Sequence, residues 1–213
     1  MIRIDKSKEP AVFSRIKTKR KNYDELVSSE KDELKKCLLE EQGYLCAYCM
    51  SKINIDNSTI EHYIPRNGKN GNNTLSLDYR NLFAVCDTTR GLPKALQTCD
   101  VKKGDDLLHI DPRERSHIET IQYEHNGKIK STFDKGFNNF DDDLNSLLNL
   151  NSNQLKHNRK NAYITLLKKM NRKKQTTWKN EFINRYIEKL SSSDDKLPYS
   201  GFLIFMLKHK LHK

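Results

Sequence analysis

Four of the five cysteines form a pattern that limits what this chain can fold into. "LCAYCM" sets Cys46 and Cys49 two residues apart, and Cys86 and Cys99 follow downstream. Four thiolates complete a tetrahedral structural zinc site, and a C-x-x-C turn presents two of them from one knuckle. A redox pair would open a helix after a buried strand. Here the pair follows a predicted helix end and precedes a polar stretch. The competing reading makes Cys86 and Cys99 ordinary core residues, since twelve residues separate them. Cys37 sits in a predicted helix beside Leu34, Leu38 and Leu39, and reads as a core thiol. The segment around the four cysteines is loop-rich and short of large hydrophobes, so it is expected to need its metal to fold.

The chain has 213 residues, enough for one or two domains. No apolar run reaches the roughly 20 residues of a membrane span, and "GFLIFML" is far too short. "MIRIDKSKEP" lacks the apolar core of a signal peptide. A soluble, cytoplasmic protein is expected, in which disulfides are disfavoured and cysteines serve as ligands, nucleophiles or core.

Three regions are read from the pattern. Residues 1–44 hold an N-terminal segment with one helix, "SSEKDELKKCLLEEQG", capped by Ser29 and stopped by Gly43. Residues 45–140 carry the cysteines, a strand candidate "STIEHYIP", an apolar return "LDYRNLFAVC" and a short helix opening near Asp100. "IQYEHNGKIKS" has an Asn-Gly turn between alternating residues, a hairpin signal. From about Asp141 the spacing becomes helical through "LNSLLNLNSNQLKHNRKNAYITLLKKM" and "TTWKNEFINRYIEKL", and a last short helix follows "SSSDDKLP".

The charge is distributed unevenly. Up to Asp143, 24 Lys+Arg balance 24 Asp+Glu; from Leu144 onward 15 face 4. The whole net charge of +11 therefore lies in residues 144–213, within the basic helical region 141–213. Charge this one-sided implies a polyanionic partner, nucleic acid first, against the blander reading of a solvated helix face. Lys168, Lys169, Lys173 and Lys174 are the candidate nucleic-acid contacts, because a run this dense surrounds its helix. Trp178, Phe182 and Tyr186 recur every fourth residue and are expected to pack internally or on a partner.

Between the cysteine pairs lies "TIEHYIPRN". Glu61 and His62 are adjacent on the predicted strand, so a regular strand would point them to opposite faces. A twist or bulge is expected if both serve one site.

"CAYC", "EHYIP", "RNLFAVC" and "CDVKKGD" together resemble the zinc-bearing HNH endonucleases, over Leu45 to Asp105. "IEHYIP", "YRNL", the split second cysteine pair and "LNLN" are more narrowly similar to the HNH nucleases of the Septu antiphage system (PtuB-type) and to retron-associated effectors. The resemblance implies an α+β fold. Its zinc-stabilised ββα-metal core would sit between a mostly helical N-terminal segment and basic C-terminal helices. It implies His62 as general base and Glu61 as ligand of a catalytic Mg²⁺ or Mn²⁺. Asn81 would hold the loop and orient His62. Asp100 takes the last motif position, where His or Asn is more usual. Lys103 would contact phosphate, or be a solvated lysine. A structural Zn²⁺ on Cys46, Cys49, Cys86 and Cys99 would be separate from the chemistry, since four thiolates leave no open position. A partner is implied as well, an ABC/SMC-like ATPase (PtuA-like). The alternative from another class is a non-catalytic nucleic-acid-binding or docking subunit.

Overall fold

The computed structural model describes residues 1–135, 138–171 and 178–211. Helix α1 (Ala11–Lys17) leads into α2 (Ser28–Glu41), which lies against the strands that follow. The α2 N-terminus differs from expectation. Ser28 already begins the helix, so Ser29 lies inside it, and Glu30 closes the first turn by accepting from the Val27 N–H at 3.0 Å. Gly43 ends it as expected: its φ of +64° suits glycine, and the Tyr44 N–H reaches back to the Leu39 carbonyl.

Strand β1 (Ser58–His62) pairs antiparallel with β2 (Leu82–Cys86), with Ser58 opposite Cys86 and His62 opposite Leu82. The register runs residue against residue, so the strand carries no bulge. All of β2, "LFAVC", is buried on both faces, as a short continuous apolar run requires. The short α3 (Cys99–Lys103) packs against β2. Gln42 extends this sheet edge: its side-chain amide accepts from the Ala84 N–H at 2.8 Å and donates to the Ala84 carbonyl at 2.7 Å.

Helix α4 (Arg115–Glu119) precedes the hairpin of β3 (Ile121–Tyr123) and β4 (Ile129–Ser131), turned at Asn126–Gly127 as the sequence predicts. A two-residue ladder, β5 (Asp134–Lys135) with β6 (Asn138–Asn139), leads to α5 (Phe140–Asp142). The helix expected from Asp141 does not run through. A π-helical turn, Asp143–Leu147, ends at Leu148, and α6 (Asn153–Asn171) starts afresh. The "LNLN" backbone between them is otherwise engaged. The Leu148 carbonyl accepts from the Cys99 N–H and the Leu150 carbonyl from Arg159, while the Asn149 side-chain amide donates to the carbonyls of Ala95 and Gln97.

Helices α7 (Asn180–Ser192) and α8 (Ser200–Leu211) close the fold, packed on each other. "GFLIFML" becomes the buried start of α8, with Phe202, Leu203, Met206 and Leu207 in the core. No helix among the described residues is long and apolar enough to cross a membrane. Trp178, Phe182 and Tyr186 form a half-buried aromatic row against this core. One hydrophobic cluster joins α2, β2, the cysteine knuckle, the β3–β4 hairpin and α6–α8.

Asp143 is a buried tie between chain segments. Its carboxylate accepts from the N–H groups of His109 and Ile110 and faces the His109 ring at 3.0 Å. Removing it leaves buried donors without partners, at about 1–3 kcal/mol each. Asp143→Ala is therefore expected to destabilise the fold by about 3–5 kcal/mol, measured by chemical denaturation.

Candidate functional site

The cysteine knuckle folds back at a bridge between Leu45 and Lys52. The Cys46 N–H donates to the Ser51 carbonyl, and the Ser51 N–H points at Cys49 Sγ at 3.4 Å. Ala47 donates to the Ala84 carbonyl, which sets the knuckle on β2. Cys86 ends β2. Cys99 opens α3 with φ +56°, a left-handed value that costs an L-residue on the order of 1 kcal/mol. Its thiol is thereby turned toward the other three.

All four thiols are buried, with ligand atoms within 4.8 Å of one another. Cys46 and Cys99 Sγ stand 3.8 Å apart, and Cys49 and Cys86 Sγ 3.7 Å apart. Thiolates ~2.3 Å from a tetrahedral zinc stand about 3.8 Å from each other, so the set could hold a zinc ion. Cys37 is half-buried on α2 and is not part of this cluster.

Beside the cluster lies a polar cleft of about 310 Å³ lined by Glu61, His62, Asp100, Arg66 and Arg90, among others. Glu61 and His62 thus share one cleft without a bulge. The reason is position: His62 is the last residue of β1, where the chain leaves the sheet. Burial pushes the Glu61 carboxyl up to about 8, the Asp100 charge adds to it, and Lys103 opposes it. Two carboxylates whose charges repel each other are a natural seat for a divalent cation. Asp100 is half-buried, and the Arg90 guanidinium stands 3.7 Å from it.

His62 Nε2 stands 3.0 Å from the Ser76 carbonyl. A carbonyl only accepts, so the neutral ring carries its proton on Nε2 and leaves Nδ1 as the lone-pair nitrogen. Tyr23 meets the ring edge-on at 4.7 Å. Burial lowers the His62 pKa to about 4, so the imidazole is neutral at physiological pH.

Asn81 does not line the cleft. Its amide accepts from the Ile64 N–H at 2.8 Å and donates to the carbonyls of Ile64 and Leu75, pinning the loop that follows His62. Lys103 is buried, not solvated. Its ammonium pairs with Glu61 Oε1 at 2.8 Å and does not line the cleft, so it presents no charge there to a phosphate. Lys168 and Lys169 are exposed on the last turn of α6, whereas Lys173 and Lys174 lie outside the described residues.

Four contributors were not singled out from sequence: Tyr48, Ser76, Arg66 and Arg90. Tyr48 is the "Y" of "CAYC", and its hydroxyl donates to Glu61 Oε1 at 2.9 Å. Ser76 acts through a backbone carbonyl, which no side-chain pattern reveals. Arg66 directly follows "EHYIP", and its arginine could have been marked for phosphate affinity.

No protein-family model matches the chain. It is 33% identical over 98 residues to a protein of Vibrio cholerae serotype O1 biovar El Tor named as a candidate HNH endonuclease of retron Vc95. The match covers 46% of this chain and 45% of that protein, so this chain spans less than half the length of the relative it matches. The relative carries the same HNH designation that the cysteine and Glu-His-x-x-Pro pattern resembles.

Two outcomes are expected. Elemental analysis finds about one zinc per chain, and serine at Cys46, Cys49, Cys86 or Cys99 removes it together with solubility or cooperative unfolding. NMR of His62 shows the ring neutral well below the ordinary histidine range. Because the unfolded chain takes up this proton near pH 6.5 and the folded one near 4, His62 makes stability fall as pH drops through that window.

Proposed function

We propose that this chain is a metal-dependent HNH endonuclease that hydrolyses nucleic-acid phosphodiester bonds. The observation that carries the reading is a buried histidine, oriented by the Ser76 carbonyl, in one cleft with two carboxylates beside a four-cysteine cluster. A pure binding module has no use for carboxylates near phosphate, which they repel.

His62 Nδ1 takes the proton from an attacking water, and the neutral ring is competent for that near pH 7. Glu61 and Asp100 would hold Mg²⁺ or Mn²⁺. When bound, such an ion supplies charge neutralisation at the scissile phosphate and its leaving oxygen. Asn81 keeps the loop after His62 in place. Arg66 and Arg90 at the cleft wall offer cationic contacts to the backbone. The cysteines hold a structural zinc that organises the hairpin and α3 as a ββα-metal unit.

The name of the Vibrio relative supports a retron-associated nuclease, whereas a cytoplasmic antiphage effector of retron or Septu type is our reading from the motif resemblance. An ABC/SMC-like ATPase partner follows from the motif resemblance. The exposed Lys168 and Lys169, with Lys173 and Lys174 beyond them in sequence, would track a phosphate backbone. Replacing them with glutamine is expected to weaken binding and flatten its salt dependence by roughly 0.7–0.9 per lost contact.

The test incubates the purified protein with plasmid, single-stranded DNA and RNA in Mg²⁺ or Mn²⁺. His62→Ala is expected to lower cleavage by at least about 10²-fold with zinc retained. Asn81→Ala is expected to be severe as well. Wild-type cleavage by His62→Ala overturns the reading.

A further inference from the structure

The two residues between Cys46 and Cys49 need not be polar for the knuckle to form, yet one is a tyrosine with no exposed surface. Its hydroxyl does not reach solvent. It donates to Glu61 Oε1 at 2.9 Å, and Lys103 Nζ stands 2.8 Å from the same oxygen. Lys103 is buried as well, and its ammonium also lies near the carbonyls of His62 and Gly104. One carboxylate oxygen is therefore held by two buried donors, one neutral and one cationic. Oε2 is bound by neither donor, and Glu61 lines the cleft together with Asp100.

Both donors ride on elements fixed by the cysteine cluster. Tyr48 lies between Cys46 and Cys49. Lys103 ends the five-residue helix that begins with Cys99 and carries Asp100 as its second residue. The donors therefore move with the thiols.

We propose that Tyr48 and Lys103 are positioning residues that clamp Glu61 Oε1 and so aim Oε2 at a divalent cation, coupling the cysteine cluster to the reaction centre. This rests on the nuclease reading above. Tyr48 touches neither substrate nor metal in it and acts only through Glu61. A carboxylate in an open cleft would sample several rotamers; held by two donors on one oxygen, it meets the cation already oriented. Charge-assisted hydrogen bonds of this kind are the stronger class, which is why removing one hydroxyl is expected to be measurable.

The experiment uses the full zinc-loaded chain and follows Mn²⁺ binding by electron paramagnetic resonance titration, with zinc content measured on the same samples. Glu61→Gln sets the scale for loss of the ligand. Tyr48→Phe, which deletes one oxygen and keeps the ring, is expected to retain zinc and to raise the Mn²⁺ Kd about tenfold. Combined with Glu61→Gln it should add nothing further, because both changes act on one carboxylate. Wild-type Mn²⁺ binding by Tyr48→Phe, with Glu61→Gln impaired, overturns the clamp and leaves the nuclease reading intact. Loss of zinc by Tyr48→Phe overturns it too, since the hydroxyl would then serve the knuckle itself. Unimpaired Mn²⁺ binding by Glu61→Gln removes Glu61 as a ligand, and with it both the clamp and that part of the nuclease reading.

Discussion

The gathering of four buried thiols is the constraint on which the rest of the structure depends. They come from three places, the knuckle after α2, the end of β2 and the start of α3, and none of these is long enough to be stable by itself. A two-stranded hairpin is marginal in water and a five-residue helix has no cooperative stability. Converging thiolates alone would repel one another, and a bound zinc would turn that repulsion into the strongest local tie. The left-handed Cys99 is a small cost accepted at this junction.

The surrounding chain braces this centre with hydrogen bonds as well as apolar packing. Gln42 acts as a surrogate strand neighbour for Ala84. Tyr199 donates to the Met50 carbonyl, tying the start of α8 to the knuckle, and Leu148 accepts from Cys99. Gly201 is needed in α8 because a Cβ there would meet the Met1 carbonyl oxygen at 2.7 Å and Met50 Sδ at 2.9 Å. The basic C-terminal third is thus more than a charged surface. Its apolar face covers the knuckle while Lys168 and Lys169 stay exposed.

The cleft has opposing electrostatic demands. Two carboxylates repel each other, and burial penalises their charge, yet cationic groups stand around them at different depths. Lys103 is sealed behind Glu61, while Arg66 and Arg90 line the open side. Arg66 is itself held by Asp24 and by the face of Tyr23, whose ring also buttresses His62. The N-terminal segment therefore contributes to the cleft wall, although no motif marks it.

Sequence alone determined the features that depend on residue type and short spacing. These were the C-x-x-C knuckle, the strand over "STIEH", the stop at Gly43, the Asn-Gly hairpin and the uneven charge. Each follows from local chemistry: a ligand type, an alternation, a permitted φ. Only the tertiary structure decided what depends on distant partners. Lys103 is a buried ion-pair partner because its helix packs against β2 and points the ammonium inward, which its sequence neighbours do not reveal. Helical spacing through "LNSLLNLN" was overridden because Leu148 and Asn149 bond to the Cys99 loop. Glu61 and His62 share a cleft without a bulge because the strand ends there. Tyr48, between two cysteines in sequence, acquires its role from a strand residue thirteen positions away. Periodicity reads a chain through its near neighbours, whereas these side chains take their environments from segments brought beside them only by folding.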